Sequence, residues 1–245
     1  LEKGINTAVY SELGERWYTA DDDPIALLRA ESRFRNPFVL EQIRSLGGSA
    51  DVLDLGCGAG FLSNYLAENG CNVTAVDLSE EALQVARKRD LTESVKYQKA
   101  DVSRLNLRYS FDVVTAMDIL EHMDDPENLV EVACRHLKPG GKFIFYTFNR
   151  NPLSYILAIK AVEVFVANVP KNLHLYEMFI TPKEIKNMLM AFGFDEIDLR
   201  GVKPKLPLAH LKQIALTGRV PKDFEFEFSS NRLVAYLGLA TRLND

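Results

Sequence analysis

The chain has 245 residues, a hydrophobic fraction of 47% and a formal net charge of −5. That length and apolar content support one large domain with a full core, and the negative balance excludes a global field that would draw the protein to nucleic acid. Three cysteines (Cys57, Cys71 and Cys134) are odd in number and show no metal-ligand spacing, so they fit a reducing compartment rather than a disulfide framework.

No signal-peptide pattern opens the chain, which starts at Leu1, and the original N-terminus is left open. The expected location is cytoplasmic. The segment up to about Leu46 stands outside the regular pattern. Strands are then predicted at Asp51–Asp54, Asn72–Val76, Lys96–Ala100, Phe111–Ala116 and Lys142–Phe148, with helices at Phe61–Asn69, Glu80–Arg89 and Pro126–Leu137 between them. Ser79 reads as an N-cap with Glu80 and Glu81 in the first turn, where carboxylates suit the helix dipole. Asp125-Pro126 is a cap followed by proline at the first helical position. Lys138-Pro139-Gly140-Gly141 reads as a helix stop and a tight turn. A second irregular region runs from Asn149 to Ile180. Thr181-Pro182-Lys183-Glu184 is a capping box opening a helix to about Phe192. The last two strands are predicted at Asp195–Arg200 and Asn231–Arg242. Strand–helix alternation of this kind predicts a parallel α/β sheet covered on both faces. The expected organisation is one domain over 1–245, with a helical cap over 1–46 and a lid or substrate segment over 149–180.

The chemistry concentrates in residues 52–60, Val-Leu-Asp-Leu-Gly-Cys-Gly-Ala-Gly. An apolar strand ends at Asp54, and Gly56, Gly58 and Gly60 lead into a helix. Glycines belong where the backbone approaches a ligand closely or takes positive φ. A strand, a glycine turn and a helix N-terminus together form a nucleotide-cofactor cradle. The spacing is G-x-G-x-G, not the G-x-G-x-x-G that grips a pyrophosphate. Asp77 ends the second strand, where an acid reaches the ribose hydroxyls of a bound nucleoside. The plainer reading of Asp77 is a turn acid. The residue-level candidates for the cofactor are therefore Asp54, Gly56, Gly58, Gly60 and Asp77.

Several motifs together resemble one family. The glycine loop is similar to the S-adenosylmethionine loop of class I methyltransferases. Ser-Glu-Leu-Gly-Glu-Arg16-Trp17-Tyr18, Asn36-Pro37, Asp118-Ile-Leu-Glu121-His122, Leu-Lys-Pro-Gly-Gly, Asn149-Arg150-Asn151, Val169-Pro170-Lys171 and Phe179-Ile180-Thr-Pro resemble the O-methyltransferases of ubiquinone biosynthesis. The resemblance covers about Tyr10 to Val202. It implies a Rossmann-like, seven-stranded, mostly parallel sheet with an antiparallel last strand. It implies S-adenosyl-L-methionine as cofactor, contacted by Gly56, Asp77 and Met117, with Asp101 at the adenine amino group. It also implies a substrate that is a polyprenylated phenol or catechol. Two departures stand out. Val39 occupies the place of an arginine two residues after the Asn-Pro, so the arginine's role is either absent here or taken by Arg33 or Arg35. Asp118 replaces the first Glu of a Glu-x-x-Glu-His metal motif.

Methyl transfer to a hydroxyl needs the acceptor oxygen in line with the methyl and relieved of its proton. Asp118, Glu121 and His122 are spaced to share one face of a helical turn. Two carboxylates and an imidazole suit a hard cation such as Mg²⁺ with open positions; the same residues also serve as plain pocket architecture. His122 and His174 are the candidates for base or substrate-orienting group. Leu153–Val169 is apolar apart from the charges Lys160 and Glu163, and too short to span a bilayer. It reads either as a helix packed on the sheet or as a lid over a greasy substrate. Lys203–Lys222 holds Lys203, Lys205, Lys212, Arg219 and Lys222 without an acid, interleaved with leucines. That composition suits peripheral contact with an anionic membrane, at its inner face, or a solvated amphipathic helix. Two rival functions stay open: methylation of another small phenol or a lipid, and cofactor binding without turnover. Nothing in the sequence sets the oligomeric state.

Overall fold

The computed structural model describes residues 9–244; residues 1–8 of the expected N-terminal cap, and residue 245, lie outside the described part. Two short helices, α1 (Val9–Glu12) and α2 (Arg16–Thr19), precede the long α3 (Ile25–Arg44). Then β1 (Asp51–Leu55), α4 (Phe61–Glu68), β2 (Asn72–Asp77), α5 (Glu80–Arg89), β3 (Lys96–Lys99), β4 (Phe111–Met117), α6 (Pro126–His136) and β5 (Leu137–Phe148) alternate. The caps act as the residues dictate. Ser79 Oγ accepts from the Ala82 amide at 3.1 Å, and Asp125 Oδ1 accepts from the Asn128 amide at 3.2 Å. The expected turn at Lys138–Gly141 is instead taken into β5, which starts at Leu137 and carries a register shift opposite Phe111 and Val113, with Gly140 at φ 74°.

The irregular region that follows contains α7 (Pro152–Ser154), a π-helical turn over Tyr155–Lys160, and α8 (Ala161–Phe165). Next come α9 (Pro182–Ala191), β6 (Phe194–Pro204), α10 (Leu208–Thr217), β7 (Phe226–Ser229) and β8 (Ala235–Arg242). The sheet order is β3-β2-β1-β4-β5-β8-β6-β7. The pairs among β3, β2, β1, β4 and β5 are parallel, β8 runs antiparallel to β5 and β6, and β7 runs antiparallel to β6. The sheet is Rossmann-like and mostly parallel, and β8 is antiparallel as expected. It has eight strands among the described residues, one more than expected. The addition is β7, which is only four residues long and borrows its register from β6. The last strand also starts later than expected, because Asn231–Leu233 forms a side-chain turn in which Asn231 Oδ1 accepts from the Leu233 amide.

Alternation along the central strands fills two cores. Val113, Ile144 and Tyr146 face α3 and α4 with Ile43 and Leu66, while Val114, Phe143 and Phe145 face α6 and α9 with Leu129 and Ile185. Phe145 lies opposite Gly238 of β8. A Cβ at Gly238 would fall within the Phe145 ring, with three ring carbons too close. Gly238→Ala is therefore expected to lower the unfolding free energy by about 1–3 kcal/mol through overpacking. Urea denaturation monitored by far-UV dichroism measures it, and an unchanged midpoint would mean that the ring moves aside freely.

Candidate functional site

The loops after β1, β2 and β4 open on one cavity of about 1210 Å³. At its floor, the amides of Gly56 and Cys57 donate to the Val76 carbonyl at 2.8 and 3.0 Å. The Gly58 amide donates to Asp77 Oδ2 at 2.8 Å, and the Ser79 amide to Asp77 Oδ1 at 2.8 Å. Asp77 thus fixes the glycine loop and the start of α5 together. Burial pushes its carboxyl up against the pull of those amides. Gly56 has φ 69°, and a side chain there would collide with Ile119. Gly56, Gly58, Asp77, Asp101 and Met117 all line the cavity. Asp101 sits at the rim and caps the turn at Val102–Arg104 by accepting from Ser103.

Two of the expected cofactor residues have other work. Asp54 is buried, and its oxygens accept from Ser63 Oγ at 2.5 Å and Thr115 Oγ1 at 2.7 Å. It reaches the cavity wall but chiefly ties α4 to β4, and burial raises it to about 6. Gly60 is not among the lining residues; a Cβ there would sit 2.9 Å from both Ala86 Cβ and Tyr97 Oη, so it serves the packing of α4 on α5.

Within the segment expected as an N-terminal cap, three aromatics lie on the glycine loop, a contact not singled out from the sequence. Trp17 lies over Gly58, and Tyr18 Oη donates to the Ala59 carbonyl at 2.9 Å. Tyr10 stacks on Trp17 with centroids 5.6 Å apart. The dense aromatics at Tyr10, Trp17 and Tyr18 were the available signal.

Beyond Met117 the chain does not form the helical face expected for Asp118, Glu121 and His122. Asp118 takes φ 54°, and Leu120–His122 is a 3-10 turn. Asp118 turns to a buried ion pair with Arg35. The donors that do converge are Glu121, His122 and His174, with ligand atoms within 4.8 Å of one another. The rings of His122 and His174 lie 5.4 Å apart. His174 comes from the segment after α8 and packs its edge against Phe148. Thr147 Oγ1 donates to Glu121 Oε2 at 2.8 Å, while Glu121 Oε1 and His122 Nδ1 are buried without a partner. Burial lowers His122 to about 4 and, with help from His122, His174 to about 3. Both imidazoles are therefore neutral at pH 7. Burial first, and Asp118 second, raise Glu121 and Glu31 well above the carboxylate range.

The opposite wall is apolar. Leu157, Ala161 and Phe165 line it from the segment 152–165, and Leu211 and Ile214 from α10. The same two segments expose Val164, Leu208 and Leu216 outward, at 71%, 67% and 84%. The basic tract is largely neutralised: Lys203 pairs with Glu227, Lys205 with Glu225, and Arg219 with Asp21. Among the described residues no helix is long and apolar enough to cross a membrane.

Comparison with known proteins places this geometry. A family model described as a methyltransferase domain matches residues 53–145. The chain is 39% identical over 199 residues to the ubiquinone biosynthesis O-methyltransferase of Idiomarina loihiensis, covering 80% of this chain and 81% of that protein. It is 37% identical over 206 residues to the protein of that name from Bordetella avium, covering 79% and 81%. Among solved structures it resembles magnesium protoporphyrin IX methyltransferase from Synechocystis with bound S-adenosylhomocysteine, at a TM-score of 0.66 and 17% identity, covering 97% of this chain and 95% of that one. It also resembles the N-methyltransferase NodS from Bradyrhizobium japonicum, at a TM-score of 0.59 and 15% identity, covering 95% and 97%. At such identities the structural matches speak for the fold.

The raised carboxyl of Glu31 makes stability depend on pH. Its folded value is pushed up to about 8 from 4.5, so the folded state holds the proton more tightly than the unfolded state. The resulting stabilisation is complete below the unfolded value and is lost as pH rises toward 8. Glu31→Gln removes this term. Its stability relative to wild type should therefore rise from pH 5 to pH 8, as measured by urea titrations across that range. A difference that is flat with pH would contradict the assignment.

Proposed function

The chain belongs to the ubiquinone biosynthesis O-methyltransferase family, and from that premise we propose how the cavity at the strand ends is divided between cofactor and acceptor. The protein is an S-adenosylmethionine-dependent O-methyltransferase. The cofactor's nucleoside is assigned to Gly56, Gly58 and Asp77, with Asp101 at the adenine and Met117 beside the reacting centre. The fit rests on the loop itself. Gly56 and Gly58 turn their amides back onto Val76 and Asp77, so the loop borders the cavity with bare backbone between Ile119 and Trp17, packed too closely for any side chain there. Asp77 is bound on each oxygen by one amide and retains lone pairs for ribose hydroxyls. The spans 10–46 and 149–180 then act as cap and lid.

The acceptor is a polyprenylated phenol or catechol. The observation that carries this reading is the cavity, which exceeds the roughly 300–1,000 Å³ typical of a small-ligand site and ends in an apolar mouth. The bound cofactor supplies an electrophilic methyl, transferred by direct displacement. The chain's own residues orient the acceptor. His122 and His174, both neutral, accept a hydrogen bond from its hydroxyl, and their ring faces with Phe148 border the aromatic ring. Tyr10 and Trp17 keep water from the reacting centre. Glu121, His122 and His174 are also a donor set for a divalent ion, with the unpartnered Glu121 Oε1 and His122 Nδ1 as the observation in its favour. Two imidazoles and one carboxylate suit a borderline ion such as Zn²⁺ better than Mg²⁺, which takes oxygens. Such an ion would lower the pKa of a bound hydroxyl.

Release of S-adenosylhomocysteine from prenylated and unprenylated catechols, with and without chelator, tests the assignment. The prenylated acceptor should have the lower KM by about tenfold or more, because each buried methylene contributes about 0.8 kcal/mol. Chelation should slow turnover, and Zn²⁺ should restore it better than Mg²⁺. Equal KM values would remove the tail from the site and favour another small phenol. Full turnover in chelator would leave the Glu-His-His group as pocket architecture. No turnover with either acceptor, despite cofactor binding, would favour the binding-only reading.

The outward leucines and valine beside the mouth also favour peripheral membrane contact, with the tail delivered from the bilayer. Because Lys203, Lys205 and Arg219 are paired, Lys212 and Lys222 carry what charge attraction there is, and apolar burial at about 25 cal/mol per Å² carries the rest. In vesicle sedimentation, binding should therefore survive high salt and weaken when Val164, Leu208 and Leu216 are changed to Ser. Binding abolished by salt alone would reverse that order, and no pelleting would retire the contact.

A further inference from the structure

We propose that Arg150 is a positioning residue for methyl transfer, on the reading above that His174 orients the acceptor: Arg150 ties the two ends of the segment 151–178 together and so holds His174 against His122. Arg150 is not among the residues that line the cavity, so it acts through another group. The Asn149-Arg150-Asn151 motif stands where β5 ends and α7 begins. Its asparagines fasten that point to the turn before β8. Asn149 Nδ2 donates to the Arg232 carbonyl and Asn151 Nδ2 to the Leu233 carbonyl, each at 2.5 Å. Asn151 Oδ1 also caps α7, accepting from the amides of Leu153 and Ser154 at 2.9 and 3.1 Å.

The arginine between them reaches the far end of the segment. In the 3-10 turn Tyr176–Met178, the Leu175 and Tyr176 carbonyls accept from the Met178 and Phe179 amides at 3.0 and 3.1 Å. The next carbonyl, that of Glu177, accepts from Arg150 Nη1 at 3.2 Å. Arg150 Nη2 goes to Glu184, whose other oxygen accepts from the Thr181 amide and hydroxyl, each at 2.8 Å. One planar guanidinium thus spans the 3-10 turn and the first turn of α9. Arg150 and Glu177 are 27 positions apart, and bringing the ends of such a loop together costs chain entropy that the ties at its base must offset. His174 lies just before the tied turn. Its ring centroid is 5.3 Å from Phe148, 5.4 Å from His122 and 6.1 Å from Phe179. Ring contacts are satisfied over a range of offsets and tilts, so where the imidazole nitrogens point depends on where the backbone is held. The side chains of Arg150 and Glu184 are 34% and 39% exposed. A pair that open contributes little to global stability, so its loss is read in turnover rather than in unfolding.

Kinetics of Arg150→Gln, His174→Ala and the double variant, with a prenylated catechol as acceptor, test the proposal. Arg150→Gln should lower kcat by about tenfold, within the scale on which a misplaced reacting geometry acts. Its KM for S-adenosylmethionine and its thermal midpoint should stay near wild type. His174→Ala should lose at least as much kcat. Because Arg150 acts through His174, the double variant should fall within about twofold of His174→Ala alone. An arginine with a merely structural role would multiply the two losses instead. Multiplied losses, or wild-type kcat in Arg150→Gln, would overturn the proposal and leave the acceptor reading standing. Wild-type turnover in His174→Ala would overturn the role given to His174, and this proposal with it. Glu184→Gln carries the same cycle if Arg150→Gln does not fold. Glutamine keeps the capping box and loses the charge that Arg150 pairs with, so it should show the same non-additivity with His174→Ala.

Discussion

The reversal of winding at β1 is the constraint on which the site depends. β2 and β3 lie on one side of β1, and β4 and β5 on the other, all parallel. The loops leaving the C-terminal ends of β1 and β4 therefore diverge to opposite faces and leave a crevice between them. The glycine loop, Asp77 and the Met117–His122 stretch are delivered to that crevice by short chain segments at the strand ends, while His174 and the N-terminal aromatics reach it from outside the sheet. Gly56 follows β1, Asp77 closes β2, and Met117 closes β4. The side chains are polar there because parallel strands expose unpaired backbone only at their ends, while the strand interiors are apolar on both faces.

The elements were legible in the sequence because their signals are local. Proline at the first helical position after Asp125 and Thr181, and Ser79 before two glutamates, set helix starts without reference to tertiary structure. The glycine loop was legible for the same reason. What escaped depends on contacts between distant residues. The three metal-type donors include His174, more than fifty positions beyond Glu121, whereas the sequence spacing offered Asp118. Asp118 leaves the group because Arg35, far upstream on α3, captures it. The basic tract looked uncompensated only because Glu225, Glu227 and Asp21 reach it across strand pairing and chain reversal. β7 was missed because four residues at a sheet edge give too short an alternation to read. Gly60 looked like its two neighbours in sequence, but its backbone faces α5 rather than the cavity.

The N-terminal segment and the segment ending at Asn168 are joined rather than independent. Residues 10–18 lie on the glycine loop, and the turn that follows them grips the lid side. Asp21 accepts from Arg219 Nη1 at 2.8 Å and, through its carbonyl, from the Val220 amide at 2.7 Å. The Asp22 carbonyl accepts from Asn168 Nδ2 at 3.1 Å, just beyond α8. Ala167 donates to the Gly218 carbonyl at 2.9 Å, which ties the end of α8 to the end of α10. One continuous stretch of backbone thus contacts the cofactor loop at one end and both walls of the apolar mouth at the other. The segment that overlies the glycine loop is thus hydrogen-bonded, through Asp21 and Asp22, to the apolar side of the cavity.

A crystal structure of the protein with S-adenosylhomocysteine and a prenylated catechol tests the shared-cavity account most directly. The account predicts adenosine against Asp77 and Asp101, the acceptor ring against His122 and His174, and the prenyl tail leaving between the 152–165 segment and α10. The acceptor oxygen should lie on the line of the missing methyl. Density for the catechol on the far side of the sheet, or for the nucleoside away from the Gly56–Asp77 loop, would contradict it.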